Sequence, residues 1–317
     1  ALATIAHSSR FVAELPQARC RAYLVQDLEA LFNPVSDAYL WNEASYTYGL
    51  RHITIGHWLT HLLRRRYATD AAPAGLGCDT ALYRPRPEIA REEAVCFLYQ
   101  PDKPRRTPQH GIHALRLLKR AHPEVTIYVY GSDLPIDLDF PVVNLGLILD
   151  LETLAKLYAR CKVGLCISAS NPSRIPFEMM AAGCVPVDLY RYNNLLDHRT
   201  GTAVLAFDGE HSLAQAMLGL LQDRSGWAAR SVACMNDAAE RSLDWEMEAA
   251  ANHLLDLVRG MPSVTDWPYA APYAEAPVVA AHENRPGVRA FLRYQIQQIA
   301  DVQPAAANLL RSIAAGG

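Results

Sequence analysis

One stretch constrains the fold of this 317-residue chain more than any other: Lys162 to Tyr190, KVGLCISASNPSRIPFEMMAAGCVPVDLY. It opens on an apolar run, Val163 to Ile167, with the length and bulk of a buried strand. A polar turn follows, Ser168 to Ser173, where Pro172 and small hydroxyl residues end the strand. Ser173 is the expected N-cap of a helix that carries Pro176 in its first turn. That helix runs through Phe177 to Ala182 and stops at Gly183. A second apolar run, Val185 to Tyr190, comes at once. Strand, turn, helix and strand in this order make a parallel βαβ unit. Its turn lies at the strand's carboxyl end, where open α/β sheets bind ligands.

The flanking sequence repeats the pattern. Strands are expected at Val95 to Tyr99, Thr126 to Tyr130, Val142 to Gly146 and Thr202 to Phe207. Helices are expected at Pro108 to Ala121, Leu151 to Cys161, His211 to Gln222, Gly226 to Glu240 and Asp244 to Arg259. Six strands alternating with helices predict an α/β fold with a doubly wound parallel sheet. Upstream, a helix is expected near Ser8 to Leu15, a strand at Arg21 to Val25 and helix over 36–68. A segment rich in Pro and Gly, Pro73 to Pro87, reads as a boundary. The expected division is 1–87, 88–260 and 261–317. The last part holds an extended linker from Trp267 to Ala281 and an amphipathic helix or helix pair from Gly287 to Ile313, interrupted by Pro304.

Composition narrows the function. A net charge of −3 with interspersed acids and bases argues against nucleic acid as a partner. Seven cysteines, an odd number with no C-x-x-C pair, read as buried small hydrophobes in a reducing compartment. No apolar run approaches the ~18 residues of a membrane span. These features predict a soluble, cytoplasmic protein, with peripheral attachment to a membrane left open. The chain begins at Ala1 inside what reads as an element already under way, and is taken as a segment of a longer protein with further domains.

Glu178 is the leading candidate for chemistry. A carboxylate in the first turn of a helix gains from the dipole and, aimed into a cleft, accepts hydrogen bonds from sugar hydroxyls. Equally, it can do no more than complement its own helix terminus. The turn before it offers backbone N–H groups to a phosphate. Other patterns fail. Asp137-Leu138-Asp139 lies in a proline-flanked loop, His57 and His61 lack a third ligand, and His110 and His113 read as surface residues with no further ligand. No dinucleotide-type glycine loop and no P-loop lysine is present.

Pro176-Phe177-Glu178-Met179-Met180-Ala181-Ala182-Gly183-Cys184-Val185-Pro186-Val187 resembles the nucleotide-sugar signature of GT-B glycosyltransferases, which have two facing Rossmann-like domains. In the large retaining group a second Glu stands eight positions earlier, where this chain has Ser170. Asn171-Pro172-Ser173-Arg174-Ile175-Pro176-Phe177-Glu178 resembles instead the bacterial rhamnosyltransferases of surface glycans. So does Gln26-Asp27-Leu28-Glu29-Ala30-Leu31-Phe32-Asn33-Pro34, with departures at Leu28, Ala30 and Asn33.

The resemblance implies a complete nucleotide-sugar domain after a partial acceptor-side domain. It implies Glu178 on the donor ribose, Ser170, Asn171, Ser173 and Arg174 near the diphosphate or sugar, and Arg105 or Arg106 on phosphate oxygens. Gly131 and Ser132 would allow close backbone approach, and Gly146 and Leu147 would face the base. An inverting transfer needs a general base, and Asp27 is the candidate; Asp27 and Glu29 can equally serve as loop caps.

The implied donor is dTDP-L-rhamnose and the acceptor a glycan or lipid-linked glycan. No metal or other cofactor is implied, because arginines and helix N-termini carry the leaving-group charge. Two alternatives stand beside this reading: a nucleotide-sugar-binding module without turnover, and a GT-B epimerase.

Overall fold

The computed structural model describes residues 1–263 and 273–300. In chain order they form β1 (Leu2–Ala3), α1 (Ala6–Glu14), β2 (Ala22–Val25), α2 (Asp37–Ala44), β3 (Arg51–Ile55), α3 (His57–Tyr67) and β4 (Ala71–Gly75). Then come β5 (Glu92–Leu98), α4 (Pro108–Ala121), β6 (Thr126–Tyr130), β7 (Val143–Asn144), α5 (Leu151–Arg160), β8 (Cys161–Leu165), α6 (Ile175–Ala181), β9 (Val185–Leu189), α7 (Tyr192–Leu195) and β10 (Val204–Ala206). The helices α8 (Glu210–Gln222), α9 (Arg224–Ala239), α10 (Leu243–Val258) and α11 (Val288–Ala300) complete the order. Internal contacts separate two compact units, residues 1–77, 170–172 and 241–263, and residues 78–169, 173–240 and 273–300.

The first unit is built on a parallel sheet of order β1-β2-β3-β4. Helix was expected over 36–68, and the structure corrects this to helix, strand, helix. Ile53, Thr54 and Ile55 are β-branched in succession, and the run lies between Gly49 and Gly56, whose φ values of 74° and 90° no helix accommodates. All five residues of β3 are buried. β4 reads AAPAG, without a strand-forming residue, and was not foreseen. It is a strand because α10 covers it. Gly75, at φ 96°, lies under the Trp245 indole, and a Cβ there would overlap the ring. Glu246 Oε2 accepts the Gly77 N–H at 2.8 Å, and His253 Nε2 lies 3.0 Å from the Pro73 carbonyl. The helix expected at Asp244 to Arg259 thus forms, but it packs on the first sheet.

The second unit is a six-stranded, wholly parallel sheet of order β10-β9-β8-β5-β6-β7. The six expected strands are these six. β8 and β9 are buried throughout, so apart from Lys162 and Asp188 their sequences read as apolar runs rather than alternating ones. Gly164 lets α6 lie close on β8, since a Cβ at that position would overlap Met179 Sδ. After the strands, the chain from Tyr273 returns to the sheet edge. Val278 bridges to Ala206, the Leu205 N–H donates to Tyr273 Oη, Glu275 pairs with Arg230, and Phe291 meets Phe207 edge-on. Much of the expected linker and the end of the expected C-terminal helix, including Pro304, lie outside the described residues.

Candidate functional site

The strand order reverses between β5 and β8. From β5 the chain crosses to β6 on one side, while β8 leads through α6 to β9 on the other. This switch point, at the carboxyl ends of β5 and β8, is the place where doubly wound sheets bind ligands. Two loops flank it. After β5 comes a tight turn, Pro104–Arg106; after β8 comes the turn into α6. The Ala169 N–H donates to the Arg105 carbonyl at 2.9 Å and stitches the loops together.

Arg106 Nε and Nη1 are shielded from solvent and make no hydrogen bond among the described residues. Asp188, at the end of β9, is only 1% exposed. Its Oδ1 accepts the N–H groups of Leu189 at 2.7 Å and Ser168 at 3.4 Å, while Oδ2 has no hydrogen-bond partner among the described residues. Burial pushes the Asp188 carboxyl up to about 7, against the pull of those N–H groups and of the Arg106 charge. Asp188 was missed in the sequence. The signal was there: one acid inside the apolar run Val185 to Tyr190.

Glu178 lies in the first turn of α6 and is half-buried. Burial raises its carboxyl to about 7; Asp79 adds to the rise, and Arg174 opposes it. The helix starts one residue later than expected. Arg174, not Ser173, is its N-cap, and it accepts the N–H groups of Phe177 and Glu178 on its carbonyl at 2.9 Å. Ser173 Oγ instead lies 4.0 Å from Cys166 Sγ. Gly183, at φ 76°, ends the helix as expected: its N–H meets the Met180 carbonyl and the Cys184 N–H the Met179 carbonyl. The Cys166 thiol is raised by burial and by Asp188 and Glu178, and is lowered by Arg106 and Ser173. Ser173 thus lies beside Cys166 at the end of β8, and the charges of Arg106, Glu178 and Asp188 all act on that thiol.

Gly131 and Gly146, after β6 and β7, are joined by a 2.8 Å hydrogen bond from the Gly131 N–H to the Gly146 carbonyl. Gly131, at φ 105°, sits against Leu98 and the Tyr99 carbonyl, where a Cβ would not fit. Ser132 Oγ accepts the Leu134 N–H at 3.1 Å, and the Leu147 N–H donates to Asp133 Oδ1 at 2.8 Å. These turns hold one another.

Ser170 and Asn171 pack within the first unit, around Asp27. Ser170 Oγ donates to Asp27 Oδ2 and the Asn171 N–H to Asp27 Oδ1, both at 3.0 Å. The Leu28 N–H adds a third bond to Asp27 Oδ1 at 2.8 Å. The Asn171 amide donates to the carbonyls of Gln26, just after β2, and Ile55, the last residue of β3. Glu29 is structural: it accepts from Tyr23 Oη and from the Ala6 N–H at the head of α1, both at 2.9 Å. Asp139, in the D-x-D stretch, pairs with Arg116 at 2.6 Å.

Comparison with solved structures places the architecture. Anabaena HepE, determined with UDP-glucose, superposes at a TM-score of 0.63 with 16% identity, covering 80% of this chain and 78% of that one. The fold is of the GT-B type. Staphylococcus aureus TarM, in complex with UDP and glycan ligands, aligns at 0.61 with 12% identity over 74% of this chain and 50% of that one. The pneumococcal O-GlcNAc transferase GtfA, with UDP and GlcNAc, aligns at 0.62 with 14% identity over 81% and 57%. Residues 93–217 match the family model described as WsaF, C-terminal domain. The O-antigen biosynthesis protein RfbC of Myxococcus xanthus is 31% identical over 258 residues, 78% of this chain. The chain spans about a fifth of that relative's length. Among the described residues, no helix is long and apolar enough to cross a membrane.

Proposed function

We propose that this chain is part of a glycosyltransferase of surface-polysaccharide assembly, and that its second unit binds the nucleotide-sugar donor. The observation that carries the reading is Arg106. Two solvent-shielded guanidinium N–H groups without an acceptor, at the switch point of a parallel sheet, suit the oxygens of a diphosphate. Support comes from the GT-B fold, from UDP-bound neighbours and from the likeness to an O-antigen biosynthesis protein.

Glu178 accepts the hydroxyls of the donor ribose. Arg106 and Arg105 hold the diphosphate, with Ser173 and Arg174 nearby, and the turns at Gly131–Ser132 and Gly146–Leu147 border the nucleoside. An acceptor hydroxyl oxygen bonds to the anomeric carbon as the bond to the diphosphate oxygen breaks. The hydroxyl proton passes to a base, for which Asp27 is the candidate, and the nucleoside diphosphate leaves. Its developing charge falls on the arginines, so no metal is invoked. The resemblance of residues 171–178 to rhamnosyltransferases makes dTDP-L-rhamnose the proposed donor and a glycan, free or lipid-linked, the acceptor.

The test is calorimetric titration with dTDP-L-rhamnose, UDP-glucose and GDP-mannose, followed by transfer to a rhamnosyl acceptor. The expected result is binding of the first donor that Arg106→Ala weakens at least tenfold, with release of dTDP when acceptor is added. Binding without transfer would favour a donor-binding module. No binding of any of the three sinks the proposal.

A further inference from the structure

Four imidazoles and two carboxylates gather where the first turns of α4 and α8 meet the segment following Ala280. His110 and His113 lie one turn apart on α4, and each Nδ1 stands 3.6 Å from Glu210 Oε1. His211 Nδ1 is 3.3 Å from Glu283 Oε1, and His282 meets the His211 ring edge-on, with centroids 4.0 Å apart. One donor atom each from Glu210, His211 and Glu283 lies within 4.8 Å of the other two. Local sequence offers His110 and His113 no further ligand; the fold supplies one from α8, far along the chain.

The separations suit a ligand set. N–H···O bonds mostly span about 2.7–3.2 Å, and these contacts of 3.3–3.6 Å stand at or beyond their long end. Ligands bound about 2.0–2.1 Å from a tetrahedral zinc ion stand roughly 3.3 Å apart; the pairs His211–Glu283, His110–Glu210 and His113–Glu210 stand at 3.3–3.6 Å, and the donors of Glu210, His211 and Glu283, within 4.8 Å of one another, would draw in on an ion.

Orientation agrees. His110 Nε2 engages the Asp208 carbonyl, which leaves the Nδ1 lone pair toward Glu210. Glu283 Oε1 accepts the His211 N–H and Oε2 the Ser212 N–H, both at 3.0 Å, with Ser212 Oγ also on Oε2. Ligating imidazoles and carboxylates are held by such outer bonds. Capping of α8 accounts for the two carboxylates, because a helix N-terminus attracts negative charge. It does not account for the imidazoles. An imidazolium is disfavoured beside two helix N-termini, whereas a neutral imidazole there is a ligand. Among the described residues, neither carboxylate pairs with a Lys or Arg.

We propose that Glu210, His211 and Glu283, with His110 or His113 completing the set, bind a zinc-class divalent metal that fastens the C-terminal segment to the head of α8. Mixed nitrogen and oxygen donors favour zinc, cobalt or nickel over magnesium or calcium, which prefer oxygen alone. The role is structural, and no step of sugar transfer passes through the ion.

The test uses the untagged chain, stripped with a chelator, dialysed, and titrated with zinc chloride by calorimetry, with magnesium chloride as control. One equivalent of zinc is expected to bind and to raise the melting temperature, and magnesium to do neither. His211→Ala and, separately, His110→Ala/His113→Ala should each weaken zinc at least tenfold, with unchanged circular dichroism. Glu178→Ala should leave zinc binding intact. His113 is half-exposed, so if His211→Ala misfolds the histidine pair on α4 decides alone. Zinc affinity unchanged in the folded variants, or no bound equivalent in the parent chain, overturns the proposal.

Discussion

Arg106 keeps two buried nitrogens without an acceptor among the described residues, at a cost on the order of 1–3 kcal/mol for each unmet group. A donor phosphate would relieve that cost. Arg106→Ala should therefore weaken binding of a nucleoside diphosphate about 10- to 100-fold, measured by calorimetry, without lowering the melting temperature. Arg106→Lys should recover only part of the loss, since an ammonium lacks the planar fork. Glu178 makes a separate case. Its carboxyl titrates near 7 in the folded chain, above its unfolded value, so ionising it opposes folding at pH 8 and costs nothing at pH 4, where both states are protonated. Glu178→Gln should raise the melting temperature at pH 8, leave it unchanged at pH 4, and still reduce donor affinity. Equal stability at pH 8 would mean the carboxylate is comfortable there without a ligand.

At the scale of elements, the βαβ unit around the site depends on close contact between α6 and β8. Gly164 faces Met179 with no room for a methyl group. Gly164→Ala should cost about 1–3 kcal/mol in urea denaturation, and Met179→Ala in the same chain should return part of it. Purely additive losses would show that the two residues do not press on each other. The same elements show what a sequence displays and what it conceals. β8, β9 and α6 announce themselves through apolar bulk, Pro176 and Gly183, all of them local signals. β4 carries no local signal and exists because Trp245, remote in sequence, covers Gly75.

For the whole molecule, opposite titrations act in the two units. His52, in the first, is buried with Nδ1 2.8 Å from Thr69 Oγ1, and burial lowers its imidazole to about 4 against the pull of Asp70. Between pH 6.5 and 4 the unfolded chain takes up a proton that folded His52 refuses, so the first unit loses stability as pH falls. Glu178 and Asp188, both raised to about 7, take up protons in the folded state over a similar range. The second unit therefore gains. Each shift is worth on the order of 3 kcal/mol. Calorimetric scans from pH 7.5 to 5 should show melting of the first unit moving down and that of the second moving up. His52→Phe should flatten the first trend, and a common downward shift of both units would contradict these assignments.

The sequence by itself determined the second sheet and the loops of its candidate site. Buried parallel strands are apolar along most of their length, and helix ends are marked by proline and glycine within a few residues. Glu178 was legible as a carboxylate two residues after Pro176 in the first turn of a helix, whereas Arg106 was named only together with Arg105, as a basic pair in the loop leaving a strand that the resemblance singled out. Only the tertiary structure decided which polar groups lack partners, since burial of Arg106 and Asp188 comes from strands apart in the chain. It alone made β3 and β4 strands, set α10 on the first sheet, held Asn171 against Asp27, and brought His110 and His113 to Glu210. Contacts of that kind depend on how distant segments pack, and no local pattern of residue types encodes them.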